Sequence, residues 1–212
     1  MMKRYVVSLA LAGLFAGAGA VQAQSVRLAV GPDSKLWVEG GSNLHDWSCK
    51  ATSFEALIDL DESILKTAAP SQALVKKIEV KVPVRNLKCG NGKMDGNLYK
   101  ALKADDAPQI SYILGSFETV PTTVSDSFSL KTVGALTIAG TEKPVNMDVT
   151  AKRLSDGSLR TVGEVSFLMT DFGVKPPTAL LGTLRTANKV TVKFELLVGP
   201  QAVSAAAAGD RR

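Results

Sequence analysis

From Val26 onward, apolar and polar residues alternate with a period of two rather than 3.6, the mark of half-buried strands. Ile78, Val80, Val82 and Val84 share one face of a segment whose other face carries Glu79 and Lys81. Val190, Val192, Phe194, Leu196 and Val198 stand opposite Thr191, Lys193 and Glu195 in the same way. The alternation recurs at Val26, Leu28 and Val30, at Leu36 and Val38, and at Phe54, Ala56 and Ile58. Further on it runs through Ile110, Tyr112 and Leu114, then Phe128, Leu130, Leu136 and Ile138, then Val145, Met147 and Val149, and last Val165, Phe167 and Met169. About eight or nine strands follow from that count. Turn-forming residues fall between them at Gly31-Pro32-Asp33, Pro121-Thr122-Thr123, Gly140 to Pro144 and Ser155-Asp156-Gly157, so consecutive strands are expected to pair antiparallel.

Helical periodicity is confined to two short stretches. One is Asp61 to Lys77, interrupted by Pro70; the other is Asp95 to Ala104, with Asp95 as its expected N-cap, Leu98 and Leu102 on one face, and Pro108 beyond its end. Repeated strand-helix-strand units are missing, which disfavours a parallel sheet. The fold class is therefore all-β and antiparallel, a sandwich or a closed barrel. Strand length separates the two: Phe128 to Ile138 alternates over 11 residues, roughly 36 Å at about 3.3 Å per residue, the height of a deep barrel wall. An eight-stranded barrel is either filled by its own side chains or holds one small ligand. Aromatic residues make up only 6% of the chain, which leaves room for a thin apolar guest.

The first 23 residues change the picture of location. Lys3 and Arg4 precede an uncharged run from Tyr5 to Val21, diluted by Gly13, Gly17 and Gly19, and Val21-Gln22-Ala23 supplies small residues for cleavage. This reads as a signal peptide over residues 1–23, followed by one domain over 24–198 and a disordered tail over 199–212 with an alanine run. The product would be periplasmic or secreted. Loss of Lys3 and Arg4 reduces 25 basic residues to 23 against 20 acidic, a surplus of three, too mild for a nucleic-acid surface. Export also makes the two cysteines, Cys49 and Cys89, interpretable as a disulfide.

Four motifs occur in order: Ser42-Asn43-Leu44-His45-Asp46-Trp47; Leu98 to Leu102 followed by Pro108 to Tyr112; Gly134 to Thr141; and Thr170-Asp171-Phe172-Gly173-Val174-Lys175-Pro176-Pro177. Together, from about Val26 to Val198, they resemble the YceI-like family of bacterial exported proteins. The resemblance implies a lipocalin-like antiparallel barrel whose elongated interior holds a polyisoprenoid chain, as in an isoprenoid quinone or a polyprenyl lipid. No cofactor beyond that ligand is implied. The Cys49 and Cys89 pair marks a subgroup and places cysteines at the mouth.

The expected ligand contacts are Trp47, Ile110, Tyr112, Leu114, Leu136, Phe167, Phe172 and Phe194, with Trp47, His45 and Phe172 near the rim. A carrier or buffer needs no catalytic residues, and none are assigned; a single histidine rules out any metal or catalytic site built on two imidazoles. Two alternatives stand beside it: a filled barrel serving as an interaction module, and an enzyme using His45 with Asp46 as its orienting carboxylate. Asp171-Phe172-Gly173 lacks the other parts of a kinase and reads as a strand-end turn. Gly90 to Met94 lacks the P-loop's first glycine and its Ser or Thr. Lys76, Lys77, Lys88 and Lys93 read as a solvated face open to a lipid headgroup, and transient contact with a membrane surface is a further alternative for it. Oligomeric state is not legible.

Overall fold

Alternation becomes strand almost everywhere it was read. A computed structural model describes residues 25–61, 63, 70–120, 122–179 and 182–200, so the expected leader and most of the expected tail lie outside the described residues. The strands are β1 (Ser25–Val30), β2 (Lys35–Ser42), β3 (Trp47–Ala51), β4 (Glu55–Asp61), β5 (Val75–Pro83), β6 (Leu87–Lys88), β7 (Gln109–Val120), β8 (Ser127–Ile138), β9 (Thr141–Arg153), β10 (Leu159–Leu168), β11 (Thr178–Ala179) and β12 (Leu184–Pro200). Gly199 and Pro200, assigned above to the tail, pair with Ala29 and Leu28 and belong to β12.

Six of these segments are halves of three bent strands. β1 and β2 both run antiparallel along β12, with Val30 opposite Val198 and Leu36 opposite Phe194. β3 and β4 continue one another beside them, with Cys49 opposite Val38 and Ile58 opposite Leu28. β5 and β6 do the same beside β4 and β3. With each pair counted as one stave, the sheet closes into an antiparallel barrel of eight, sealed by β1 against β12. Every neighbouring pair of staves is consecutive in sequence apart from that closure.

Two turn assignments change. Gly31-Pro32-Asp33 does not reverse the chain; it bends a stave, because β12 still supplies partners on both sides of it. The Gly31 N–H donates to the Leu197 carbonyl at 2.7 Å, and the Leu197 N–H donates to Ser34 Oγ at 3.0 Å, so no backbone group of β12 is orphaned at the corner. The β8–β9 reversal is Ala139-Gly140 alone, with φ of 50° and 79°, the positive pair that a two-residue hairpin turn needs. Thr141 to Pro144 are strand. Pro144 is tolerated there because β9 pairs with β10 only from Asp148 onward, leaving its missing N–H without a ladder partner on that side.

The helix assignments also shift. α1 spans Gly92–Ala101, and its N-cap is Asn91, whose side chain accepts from the Lys93 and Met94 N–H groups. Asp95 therefore sits in the first turn instead of capping, and its Oδ1 accepts the Cys89 N–H at 2.7 Å. Of the stretch 61–77, Val75 to Lys77 are strand and Gln72–Leu74 form a single 3-10 turn; residues 62 and 64–69 lie outside the described residues.

The core gathers at both ends of the barrel. Val82, Val84, Leu87, Leu102, Ile138 and Phe172 are among the buried residues at the end where α1 packs. Leu28, Ile58, Leu60, Leu196 and Val198 form a second cluster toward the other end.

Candidate functional site

Between these clusters the inward faces do not meet. The staves enclose a cavity of about 770 Å³, within the range of small-molecule pockets. Leu, Val, Ile, Phe and Met from the staves supply its wall, as the period-two face requires. Thr132, midway along β8, is buried and donates its hydroxyl to the Met147 carbonyl at 2.9 Å. The Tyr112 hydroxyl is buried beside Thr132, and burial pushes its pKa above the usual phenol value, with the Thr132 hydroxyl opposing the shift.

At the α1 end the lining turns polar and reaches exposed side chains, among them His45, Asn91, Lys93 and Asn97. At the far end it is formed by buried or half-buried residues such as Phe128, Leu130, Ala151 and Leu159. The cavity thus meets solvent beside α1, which presents Met94, Asn97, Leu98 and Ala101 to it at helical spacing.

The Cys49–Cys89 disulfide forms and lies in the cavity wall beneath this mouth. It ties the segment leading into α1 to β3. Lys88 reinforces the junction, donating to the Tyr99 hydroxyl at 2.7 Å with its ammonium 5.2 Å from that ring's centroid. Tyr99 in turn donates to the Leu87 carbonyl at 2.9 Å.

All eight expected contact residues, Trp47, Ile110, Tyr112, Leu114, Leu136, Phe167, Phe172 and Phe194, face the cavity. Phe172, expected near the rim, is at the α1 end of the barrel but buried. It is 1% exposed and packs edge-on against Phe167 with ring centroids 4.9 Å apart. The cause is a 3-10 turn over Met169–Phe172: Asp171 Oδ2 accepts the Leu168 N–H at 3.1 Å and Gly173 takes φ of 66°, which together rotate Met169 and Phe172 inward. His45 does stand at the rim. Trp47 is half-buried there, its indole N–H donating to the Gly41 carbonyl at 3.1 Å.

Several lining residues were not anticipated. Phe117 faces inward because the β7–β8 register shifts between Leu114 and Ser116, which breaks the simple alternation. Met94 was missed because the helix was started late, with Asp95 in place of Asn91 as its N-cap; Asn97 lay inside the expected helix but was not read as lining, and Lys93 was read only as part of a solvated face open to a headgroup. An Asn-Gly pair ahead of Met94, Leu98 and Ala101 is a signal that could have found the earlier start. Lys93 belongs to the lining, not merely to a solvated face. His45 and Asp46 do not form a base with an orienting carboxylate: the His45 ring Nδ1 is 2.8 Å from the Asp46 backbone carbonyl.

An antiparallel barrel closed on itself around an apolar cavity is an architecture able to enclose one small ligand. Residues 39–198 match the YceI-like domain, and the chain belongs to that family. No curated protein sequence matches the chain. Among solved structures it is similar to Burkholderia cenocepacia BcnA, at 16% identity and a TM-score of 0.61, covering 80% of this chain and 99% of that one. A polyisoprenoid binding domain from Saccharophagus degradans, implicated in plant cell wall breakdown, shows 10% identity and a TM-score of 0.58 over 82% and 99%. A Campylobacter jejuni YCEI protein shows 17% identity and a TM-score of 0.50 over 95% and 99%.

Proposed function

We propose that the chain is an exported binding protein that holds an isoprenoid lipid, of quinone or polyprenyl type, in its barrel and carries or buffers it without chemistry. The observation that carries this reading is the lumen: about 770 Å³ walled mostly by apolar side chains and opening beside α1. Burying each methylene of a guest is worth about 0.8 kcal/mol, so several isoprene units would outweigh the cost of ordering a flexible chain. The polyisoprenoid binding domain from Saccharophagus degradans shares the fold, which supports this ligand class. The N-terminal leader pattern and the disulfide support export. The eight wall residues from Trp47 to Phe194 named above are the proposed contacts.

The cavity weighs against a filled interaction module. The His45 ring's engagement with a backbone carbonyl, and not with the Asp46 carboxylate, weighs against the enzyme alternative built on that pair. Mass spectrometry of the organic extract of natively purified protein tests the proposal. An isoprenoid lipid at near-stoichiometric yield is expected, whereas an extract holding only bulk membrane phospholipid would overturn it.

A further inference from the structure

The cavity mouth carries a charge that an apolar carrier does not need. Among the described lining residues Lys93 is the one charged side chain; no Asp, Glu or Arg accompanies it. It stands in the first turn of α1, exposed, and no salt bridge neutralises it among the described residues. The nearest acid along the helix, Asp95, is committed elsewhere: one oxygen accepts the Cys89 N–H at 2.7 Å and the other lies 3.9 Å from the Lys88 ammonium. The backbone amides of Lys93 and Met94 are held by the Asn91 side chain, so the helix terminus itself offers little to a guest. What remains are side-chain donors: the Lys93 ammonium, the Asn91 amide N–H groups that capping does not use, and the Asn97 amide one turn further on. All three residues belong to α1 or its N-cap and line the cavity.

Building on the proposed isoprenoid reading, we propose that this cluster holds an anionic phosphate-type headgroup, so that the guest is a polyprenyl phosphate or diphosphate in preference to a neutral quinone or alcohol. The chain enters the lumen tail first. Its headgroup stops at the level of α1, where water still solvates part of it. A neutral head would gain only ordinary hydrogen bonds there, while an anion gains a charge-assisted contact with Lys93. Because the site is partly exposed, the gain is a modest selectivity rather than the bulk of the affinity, which stays with the buried chain.

The test compares geranylgeranyl monophosphate with geranylgeraniol, two guests of equal chain and different head, on delipidated full chain. Inorganic pyrophosphate serves as the head without a chain. The expected result is about fivefold to tenfold tighter binding of the monophosphate, a gap that Lys93→Gln closes and that Lys93→Glu reverses. Equal affinities, or a gap untouched by either substitution, overturn the inference while leaving the lipid-binding reading standing. Pyrophosphate competing as well as the lipid phosphate also overturns it, since the cluster would then be a free-anion site. Failure of both lipids to bind the unsubstituted chain defeats the lumen reading itself, and the headgroup assignment with it.

Discussion

Single residues decide how the staves fit together, and glycine does so by making room. A Cβ on Gly134 would stand 2.4 Å from the Tyr112 ring, one on Gly163 would stand 2.6 Å from Phe194, and one on Gly40 would stand 2.3 Å from Trp47. Each aromatic therefore occupies the space beside a glycine of the adjoining strand that a side chain there would need. Gly134→Ala is expected to cost about 1–3 kcal/mol by overpacking, read as a lower denaturation midpoint; an unchanged midpoint would show that Tyr112 swings away freely. Outside the barrel, Glu79 lies between Lys77 and Lys81, at 2.7 and 2.9 Å, and their hydrogen bonds hold its pKa at about 2. A carboxyl whose folded pKa lies below its unfolded value of 4.5 stabilises the fold above that value and loses the contribution as pH falls toward 2. Glu79→Gln should flatten the acid limb of stability between about pH 4.5 and 2, and an identical pH profile would refute that role. At this scale the inward alternation was readable, since side-chain direction follows from period alone. The glycine–aromatic pairs were not, because they depend on which strands adjoin.

Elements show where local pattern stops being sufficient. β8 was legible almost to its ends, since Ser127–Ile138 carries both alternation and a glycine turn. The bend between β1 and β2 was not: Gly31-Pro32-Asp33 has the chemistry of a hairpin, and only the continuous partner β12 turns it into a corner. The Asp61 to Lys77 stretch misled in part because apolar spacing in a short segment suits helix and strand alike, and tertiary pairing of Val75 with Leu60 decides for strand. α1 was found but misaligned. Its capping gives a test: Asn91→Ala should destabilise by about 1 kcal/mol through the loss of two accepted N–H bonds, measured by chemical denaturation, and a neutral effect would mean that water replaces the cap. The disulfide closes a loop of sequence separation 40. Joint replacement of Cys49 and Cys89 by Ala should cost about 2–4 kcal/mol, with an unchanged midpoint as the contrary result.

At the scale of the whole molecule, the sequence pointed to a barrel by strand number and length, and to the YceI-like family by four ordered motifs. The size of the lumen was beyond it, since whether inward residues meet depends on barrel radius and on aromatics folded against glycines. The same geometry predicts how to block the lumen. Ala56 pairs with Val80, which lines the cavity, so both side chains share the inward face. Ala56→Trp should therefore fill space without breaking the ladder, and circular dichroism dominated by strand in both proteins would show that the barrel persists. The most direct measurement is the stoichiometry of a polyprenyl lipid taken up by the delipidated chain, determined by native mass spectrometry beside the Ala56→Trp variant. One lipid per unsubstituted chain and none on the folded variant is the predicted result. No uptake by the unsubstituted chain, or equal uptake by both, would contradict an isoprenoid guest held inside the barrel.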